Sequence, residues 1–231
     1  MTKLNHDKPQ IKQYFIYIGL AVLVTSVLNM IHGQFIGQEN SYLLHITPTL
    51  AGILFGYLLT RVVILNKKLE HLATIDPLTG AYNRMQFDLF IEAEIDRANR
   101  YGNTFSVIFM DIDHFKKIND KHGHQTGDAV LKSFTDIIDK TKRASDIFSR
   151  YGGEEFVILA YGADIDNAII CAERLRKHIE NYNFDKVGHL TCSFGVTEFR
   201  KEKDTSHSVL KRSDDALYMA KEAGRNCVKQ A

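Results

Sequence analysis

The sequence predicts an α+β domain, a central mixed sheet with flanking helices, preceded by a two-helix transmembrane hairpin. Three observations carry that expectation. Two long apolar runs near the N-terminus hold almost no charge: between Gln13 and Thr60 the only fully charged side chain is Glu39. Nearly all the acidic residues lie beyond Asn66. Past that point, short apolar strands are interspersed with helical patterns, an order that collects helices against one mixed sheet.

The hairpin comes first in the chain. Residues 14–32, "YFIYIGLAVLVTSVLNMIH", and 43–65, "LLHITPTLAGILFGYLLTRVVIL", each have about the ~20 residues a helix needs to cross a bilayer. The loop between them carries no Lys or Arg, whereas Lys3, Lys8 and Lys12 precede the first run and Arg61, Lys67 and Lys68 end the second. The positive-inside rule then predicts a multi-pass membrane protein with both termini cytoplasmic. The first run lacks a small-x-small cleavage site, so an uncleaved hairpin is favoured over a signal peptide. His32 and His45 flank the outer loop and are read as interfacial rather than as ligands. Phe55, Leu58, Val62, Leu65, Leu69 and Leu72 recur at three- and four-residue steps, a seam that would carry the second helix onward into the cytosol. The expected organisation is a tail over 1–12, a hairpin over 13–65, a linker helix over 66–75 and a folded domain over 76–231.

Composition limits the rest. Of 231 residues, 25% are charged and 45% hydrophobic, the balance of a folded chain. A formal net charge of +1 supplies no field that would point to nucleic acid as a partner. Cys171, Cys192 and Cys227 show no C-x-x-C spacing, and Cys192 sits in the apolar run "LTCSFGV". They read as reduced thiols without metal or redox roles.

In the second part, "DPLTGAYNR" (76–84) reads as a turn with Asn83 as N-cap of a helix that Gly102 ends. "FSVIFMDID" (105–113) reads as a buried strand ending in acids. A short helix and loop cover 114–128, and Asp128 is expected to begin the next helix. Ile147 and Phe148 open a hairpin whose second strand is 156–160. A helix around 165–181, a strand near 189–199, a helix over 206–223 and a short last strand at "NCVKQ" complete the chain.

The acids carry the chemistry. Asp111 and Asp113 end the first strand, and Glu154 and Glu155 stand at the mouth of a tight turn beside an apolar strand. If those strands are neighbours, an Asp and a Glu meet at one edge, where they repel unless a cation neutralises them. Oxygen-only ligands and partial coordination suit Mg²⁺ bound together with phosphates. Gly152 and Gly153 would allow a tight turn and close approach of a ligand. Taken singly, each of these features is more often an ordinary turn or solvated surface.

Together, "DPLTGAYNR", "MDIDHFKKINDKHGHQTGD", "RYGGEEF" and "SDDALYMAKEAGRN" stand in the order and spacing of the GGDEF domain family, the diguanylate cyclases. The resemblance covers roughly residues 72–229 and implies a palm-like nucleotidyl-cyclase sandwich that condenses two GTP into cyclic di-GMP and two pyrophosphates. It implies Asp111 and Glu154, with the Ile112 carbonyl, as ligands of Mg²⁺ (or Mn²⁺), Asp113 being accessory at most. It implies Glu155 as an aid to deprotonation or to metal binding. Asn119 and Asp128 would read guanine, whose N1–H and N2–H₂ a carboxylate accepts together. Lys116, Lys221 and Arg225 would hold the triphosphate, the last two on one helical face, with backbone N–H groups at Phe115 and Lys116. Glu154 stands where the family name has Asp, and the longer carboxylate still reaches a metal. Each domain would supply half a site, so a homodimer is implied, with the hairpin and seam helix as its scaffold.

"RASD", from Arg143 to Asp146, has the spacing of the family's product-inhibition site, and Arg174 matches a secondary arginine there. Cyclic di-GMP would thus be both product and feedback ligand. Two other readings compete with an active cyclase: a catalytically silent receptor of cyclic di-GMP, and a membrane sensor in which the hairpin matters most.

Overall fold

A computed structural model describes residues 41–72 and 74–231, together with residues 19, 23, 24 and 27; within the two segments, side chains are described over 50–65 and 74–231. The chain divides into two compact units, Met1–Leu72 and Ala73–Ala231.

The first unit contains helix α1 (Ser41–Leu72). Among its described side chains, Gly52, Gly56 and Thr60 are the buried positions, at four-residue steps, and the Thr60 hydroxyl donates to the Gly56 carbonyl at 2.7 Å. Phe55, Leu58, Val62 and Leu65 of the expected seam are exposed; the side chains of Leu69 and Leu72 lie outside the described residues. Among the described residues, no helix is long and apolar enough to cross a membrane. This corrects the expected transmembrane hairpin, and with it the multi-pass placement. The physical reason lies in the composition of the expected second run, 43–65, which carries Arg61 close to its end. It then leads into Asn66, Lys67, Lys68 and Glu70. The first expected span, 14–32, lies outside the described residues except at 19, 23, 24 and 27, as do His32 and the side chain of His45.

The second unit runs β1 (Tyr82–Asn83), α2 (Arg84–Tyr101), β2 (Phe105–Ile112), α3 (Phe115–His122), α4 (His124–Thr141), β3 (Ile147–Arg150), β4 (Glu155–Tyr161), α5 (Ile165–Asn181), β5 (Cys192–Glu198), α6 (Ser206–Glu222) and β6 (Val228–Gln230). Its sheet has the order β1-β3-β4-β2-β5-β6. The four inner strands are antiparallel, and each edge strand is parallel to its neighbour. The α+β expectation of a mixed sheet with flanking helices is met.

Strand β2 is buried along its whole length because it is central and covered on both faces. Ile108, Met110 and Ile112 face the core built with α4 and α5, through residues such as Phe134 and Leu175. Phe105, Val107 and Phe109 face the core built with α2 and α6, through Phe87, Ile91 and Leu217. Strand alternation therefore sends Asp111 toward the α2/α6 face.

Local signals set the helix ends. The Asn83 side chain accepts from the Gln86 N–H, and Gly102 closes α2 in the left-handed conformation at φ 76°. Gly123, at φ 82°, breaks the chain between α3 and α4, so α4 starts at His124 and Asp128 lies about a turn inside it rather than at its start. The Thr205 hydroxyl accepts from the Ser208 N–H in a capping box that opens α6.

Two tertiary contacts fix α6 and the glycine turn against the sheet. A methyl group at Gly195 would run into the Ser213 carbonyl oxygen and the Leu217 nitrogen, so α6 lies directly on the backbone of β5. Before β1, Asp76 accepts from the Thr79 N–H and hydroxyl at 2.9 and 2.7 Å, which shapes the turn. It also accepts from Arg150 Nη1 at 3.0 Å, while Arg150 Nε and Nη2 donate to the Gly153 carbonyl at 3.1 and 2.7 Å. One guanidinium thus ties the entry of the domain to the glycine turn. Burial pushes the Asp76 carboxyl up, but the Thr79 and Arg150 hydrogen bonds outweigh it and hold the group below the usual carboxylate range.

Gly195→Ala is expected to destabilise the domain by about 1–3 kcal/mol, because backbone atoms must move apart; denaturant midpoints measure it. For Arg150→Ala we expect a loss of about 1–2 kcal/mol near neutral pH. A depressed carboxylate stabilises above its unfolded pKa, so the Tm gap to wild type should narrow as the pH falls below about 4. A gap of constant size down to about pH 2.5 would exclude the ion pair as its source.

Candidate active site

The β2–β4 pairing sets Asp111 directly opposite Glu155, so the two side chains project from the same face at the same sheet edge. Glu154 precedes β4, and its carbonyl accepts from the Ile112 N–H at 3.3 Å, holding the signature turn against the end of β2. Asp111 is 7% exposed, and Lys221 Nζ lies 2.9 Å from its Oδ2. Burial pushes the Asp111 carboxyl above the usual range, against the pull of the Lys221 hydrogen bond and charge. Glu154 and Glu155 are raised too, first by burial and then by the charge of Asp111. Three carboxylates with one close ammonium make an edge short of positive charge.

The glycines of the turn have separate uses. A methyl group at Gly152 would strike the Glu155 carboxylate, so the missing side chain seats that group; space beside Gly153 is open. Glu155 also borders a cavity of about 320 Å³ lined by Arg84, Phe109, Tyr151, Lys211 and Asp214. There the Arg84 guanidinium lies over the Tyr151 ring, 4.4 Å from its centre.

Among the described residues, no three His, Cys, Asp or Glu side chains converge as a ready-made metal centre. The donor set nevertheless fits a hard divalent cation of the Mg²⁺ class. All the donors are oxygens, the carboxylates repel one another, and the ligand count is too low for a closed cage unless substrate oxygens complete it. Asp111, Glu154 and the Ile112 carbonyl are the groups that would hold it.

Asp113, two residues from Asp111, faces elsewhere. It is 5% exposed, accepts from the Thr191 and Ser193 hydroxyls at 2.6 and 2.7 Å, and from the Asn226 N–H at 3.1 Å. Its two oxygens join β5 to the segment after α6, a structural task that the D-x-D spacing does not reveal.

Asn119 on α3 lies against α4 because Gly127 has no side chain: a methyl group there would meet the Asn119 amide oxygen. That places the Asn119 amide next to the residue preceding Asp128, which is exposed about a turn inside α4. Gly127 is a residue sequence reasoning missed, and a buried glycine inside a helix was the available signal. Phe115 is buried and Lys116 exposed in the first turn of α3, where backbone N–H groups have no intrahelical acceptor. Lys221 is in the last turn of α6, but Arg225 is not on that helix. Helix α6 ends at Glu222, and Arg225 follows in a turn at φ 68°, its N–H donating to the Ala220 carbonyl at 3.0 Å. The expected shared helical face is corrected accordingly.

A second polar cluster forms where α4 ends and α5 passes. Asp146 is 4% exposed, accepts from the Arg143 N–H at 3.3 Å, and is raised mainly by burial. Arg143 and Arg174 are exposed, and Arg174 Nη2 donates to the Thr141 carbonyl at 3.1 Å. The Cys171 thiol, pushed up by burial, lies in the field of Arg174, Asp146 and Arg143, so the three predicted residues are brought together. Strand β3 alone separates Asp146 from the signature turn, which explains the five-residue spacing. Cys171, Cys192 and Cys227 are free thiols.

Replacing Lys221 with Met is expected to push the Asp111 carboxyl further up, since it removes the cation that opposes burial. Carbon-detected NMR titration of the Asp side chains measures this, and an unmoved midpoint would show that Lys221 is not the counter-ion.

Residues 73–227 match the family model described as "Diguanylate cyclase, GGDEF domain". The response regulator PleD of Caulobacter vibrioides is 40% identical over 173 residues, covering 71% of this chain and 38% of its own length. A probable diguanylate cyclase of Escherichia coli K12, DgcT, is 38% identical over 164 residues, 69% of this chain and 36% of that protein. The chain therefore spans well under half the length of these curated relatives. Among solved structures, the GGDEF domain of DgcB from Caulobacter crescentus in complex with c-di-GMP is 35% identical with a TM-score of 0.66, covering 68% of this chain and 95% of that one. The active GGEEF domain of a diguanylate cyclase from Vibrio cholerae is 32% identical with a TM-score of 0.62, over 64% and 96% of the two chains. With the family model covering more than half of the residues, and with the carboxylate edge, the α3–α4 contact and the Arg143/Asp146 cluster all inside the matched region, this chain belongs to the GGDEF domain family.

Proposed function

We propose that the chain is a diguanylate cyclase that joins two GTP molecules into cyclic di-GMP and releases two pyrophosphates. The observation that carries this reading is the pairing of Asp111 with Glu155, and of Ile112 with Glu154, at one sheet edge beside Lys221. The named relatives, several of them diguanylate cyclases, support it.

Each domain holds one GTP. Asp128 accepts the guanine N1–H and N2–H₂, with the Asn119 amide beside it; adenine, lacking that donor pair, would leave the carboxylate unpaired. Lys116, the first N–H groups of α3, Lys221 and Arg225 take the triphosphate. Asp111, Glu154 and the Ile112 carbonyl would hold Mg²⁺, or Mn²⁺ in its place, which when bound would offset charge on the phosphate oxygens.

The 3′-oxygen of one GTP attacks the α-phosphorus of the other. A new P–O bond forms, the bond to pyrophosphate breaks, and the 3′-hydroxyl proton passes to a base. Glu155, its carboxyl raised by burial and by Asp111, would accept that proton. Lys221 and Arg225 stabilise the charge that gathers on the leaving group. A second, symmetric attack closes the ring. Two substrates held on separate domains require two copies of the chain facing each other, so a homodimer is part of the proposal. Cyclic di-GMP returns to the Arg143, Asp146 and Arg174 cluster, where arginine forks suit its phosphates and guanine edges and Asp146 accepts guanine N–H groups.

Incubating the full chain with GTP and Mg²⁺ and separating the nucleotides by chromatography should yield cyclic di-GMP. Asp111→Ala and Glu154→Ala should each lower turnover at least ~10²-fold while leaving the fold intact. No product from the wild-type chain would overturn the cyclase reading, and product binding without turnover would favour a receptor. Arg143→Ala should abolish tight product binding in a calorimetric titration; unchanged binding would remove the feedback site.

A further inference from the structure

Two consecutive residues after α6, Arg225 and Asn226, adopt left-handed conformations at φ 68° and 45°. For residues other than glycine this costs on the order of 1 kcal/mol or more each, and it persists only where the surroundings enforce it. Here the enforcement falls on Asn226. Its N–H donates to Asp113 Oδ2 at 3.1 Å, its Nδ2 donates to Glu180 Oε1 at 2.7 Å, and its Oδ1 accepts from Arg176 Nη1 at 2.9 Å. Arg176 is itself fixed on α5, donating to Glu173 at 2.9 Å and to the other Glu180 oxygen at 3.0 Å. Asp113 is fixed by the Thr191 and Ser193 hydroxyls. Side chains of α5 and the end of β2 thus grip one asparagine from two sides. The residue just before it, Arg225, bears electrostatically on Asp111 at the carboxylate edge.

We propose that Asp113, Arg176 and Glu180, acting through Asn226, are positioning residues that hold Arg225 in place for the phosphates of the nucleotide. The proposal rests on the reading of Arg225 as a triphosphate contact. It assigns α5 a part in GTP binding through side chains that contact Asn226 rather than Arg225. The reason is geometric: Arg225 has no helix to orient it, since α6 has already ended, and its backbone conformation is unfavourable in isolation. A long cation free to swing would spend rotamer entropy on every binding event, and a fixed one avoids that cost.

The test uses the full chain and two nucleotides. In 3′-deoxy-GTP the nucleophile is missing, so binding is read without turnover, and GMP lacks the β- and γ-phosphates. Arg176→Ala should weaken 3′-deoxy-GTP about tenfold, the size of one lost charge-assisted contact, and leave GMP within about twofold. The KM for GTP should rise by a similar factor and kcat should fall as well, because Arg225 also stabilises the charge on the leaving group. Glu180→Gln keeps an acceptor for Asn226 and should restore the affinity that Glu180→Ala loses. Arg176→Ala combined with Arg225→Ala should be no weaker than Arg225→Ala alone, because both remove the same contact. Additive losses, or equal weakening of GMP, would overturn the proposal while leaving Arg225 a phosphate ligand. Undiminished 3′-deoxy-GTP binding in Arg225→Ala would instead remove the reading on which the proposal rests, and the proposal with it.

Discussion

The antiparallel pairing of β2 with β4 is the constraint on which the site depends. Its register puts Asp111 across from Glu155 and sets Glu154 one residue outside the ladder, with its carbonyl bonded to Ile112. Because side chains alternate along a strand, a one-residue slip would turn Asp111 toward the α4/α5 core, which is lined by Met110, Phe134 and Phe156. Both faces of β2 are buried, so such a slip would also exchange the side chains that pack in the two cores. The fold's hydrophobic requirement and the site's geometric requirement are therefore satisfied by the same register.

Around that pairing the domain concentrates charge it would otherwise spread. Burial raises Asp111, Glu154 and Glu155, and the repulsion between Asp111 and each glutamate adds to it. Lys221 offsets part of this and is placed by α6, which can lie close to the sheet because Gly195 presents bare backbone to Ser213 and Leu217. The Arg150 guanidinium secures the far side of the turn through Asp76 and the Gly153 carbonyl. Such an arrangement keeps three mutually repelling carboxylates at one edge, a repulsion that a bound cation would offset.

The D-x-D motif assigns different work to its two acids. Asp111 points into the site, whereas Asp113, past the end of the strand, is saturated by two hydroxyls and a backbone N–H. It anchors the turn that carries Arg225. The acid that looks accessory in the motif is thus joined, through Asn226, to helix α5, the helix that also bears Arg174 of the second polar cluster.

Much of this was legible in the amino-acid order. Asn83 and Gly102 mark helix ends through their own torsional and capping preferences, which neighbouring residues decide. The alternation in "FSVIFMDI" and the motifs at 111–128 and 149–156 gave the carboxylates and guanine-reading candidates. Other features depend on partners far along the chain. Asp113 meets Asn226 across 113 positions and Asp76 meets Arg150 across 74. Gly127 and Gly195 matter because of what packs on them, and Arg225 leaves the expected helical face because α6 stops early. Hydropathy likewise recorded that residues near the N-terminus are apolar, but the helix described there is not long and apolar enough to cross a membrane. Sequence determines local torsion and the chemistry available at each position. Only tertiary packing decides which polar atoms find each other, because that is fixed by the approach of segments whose separation along the chain carries no directional information.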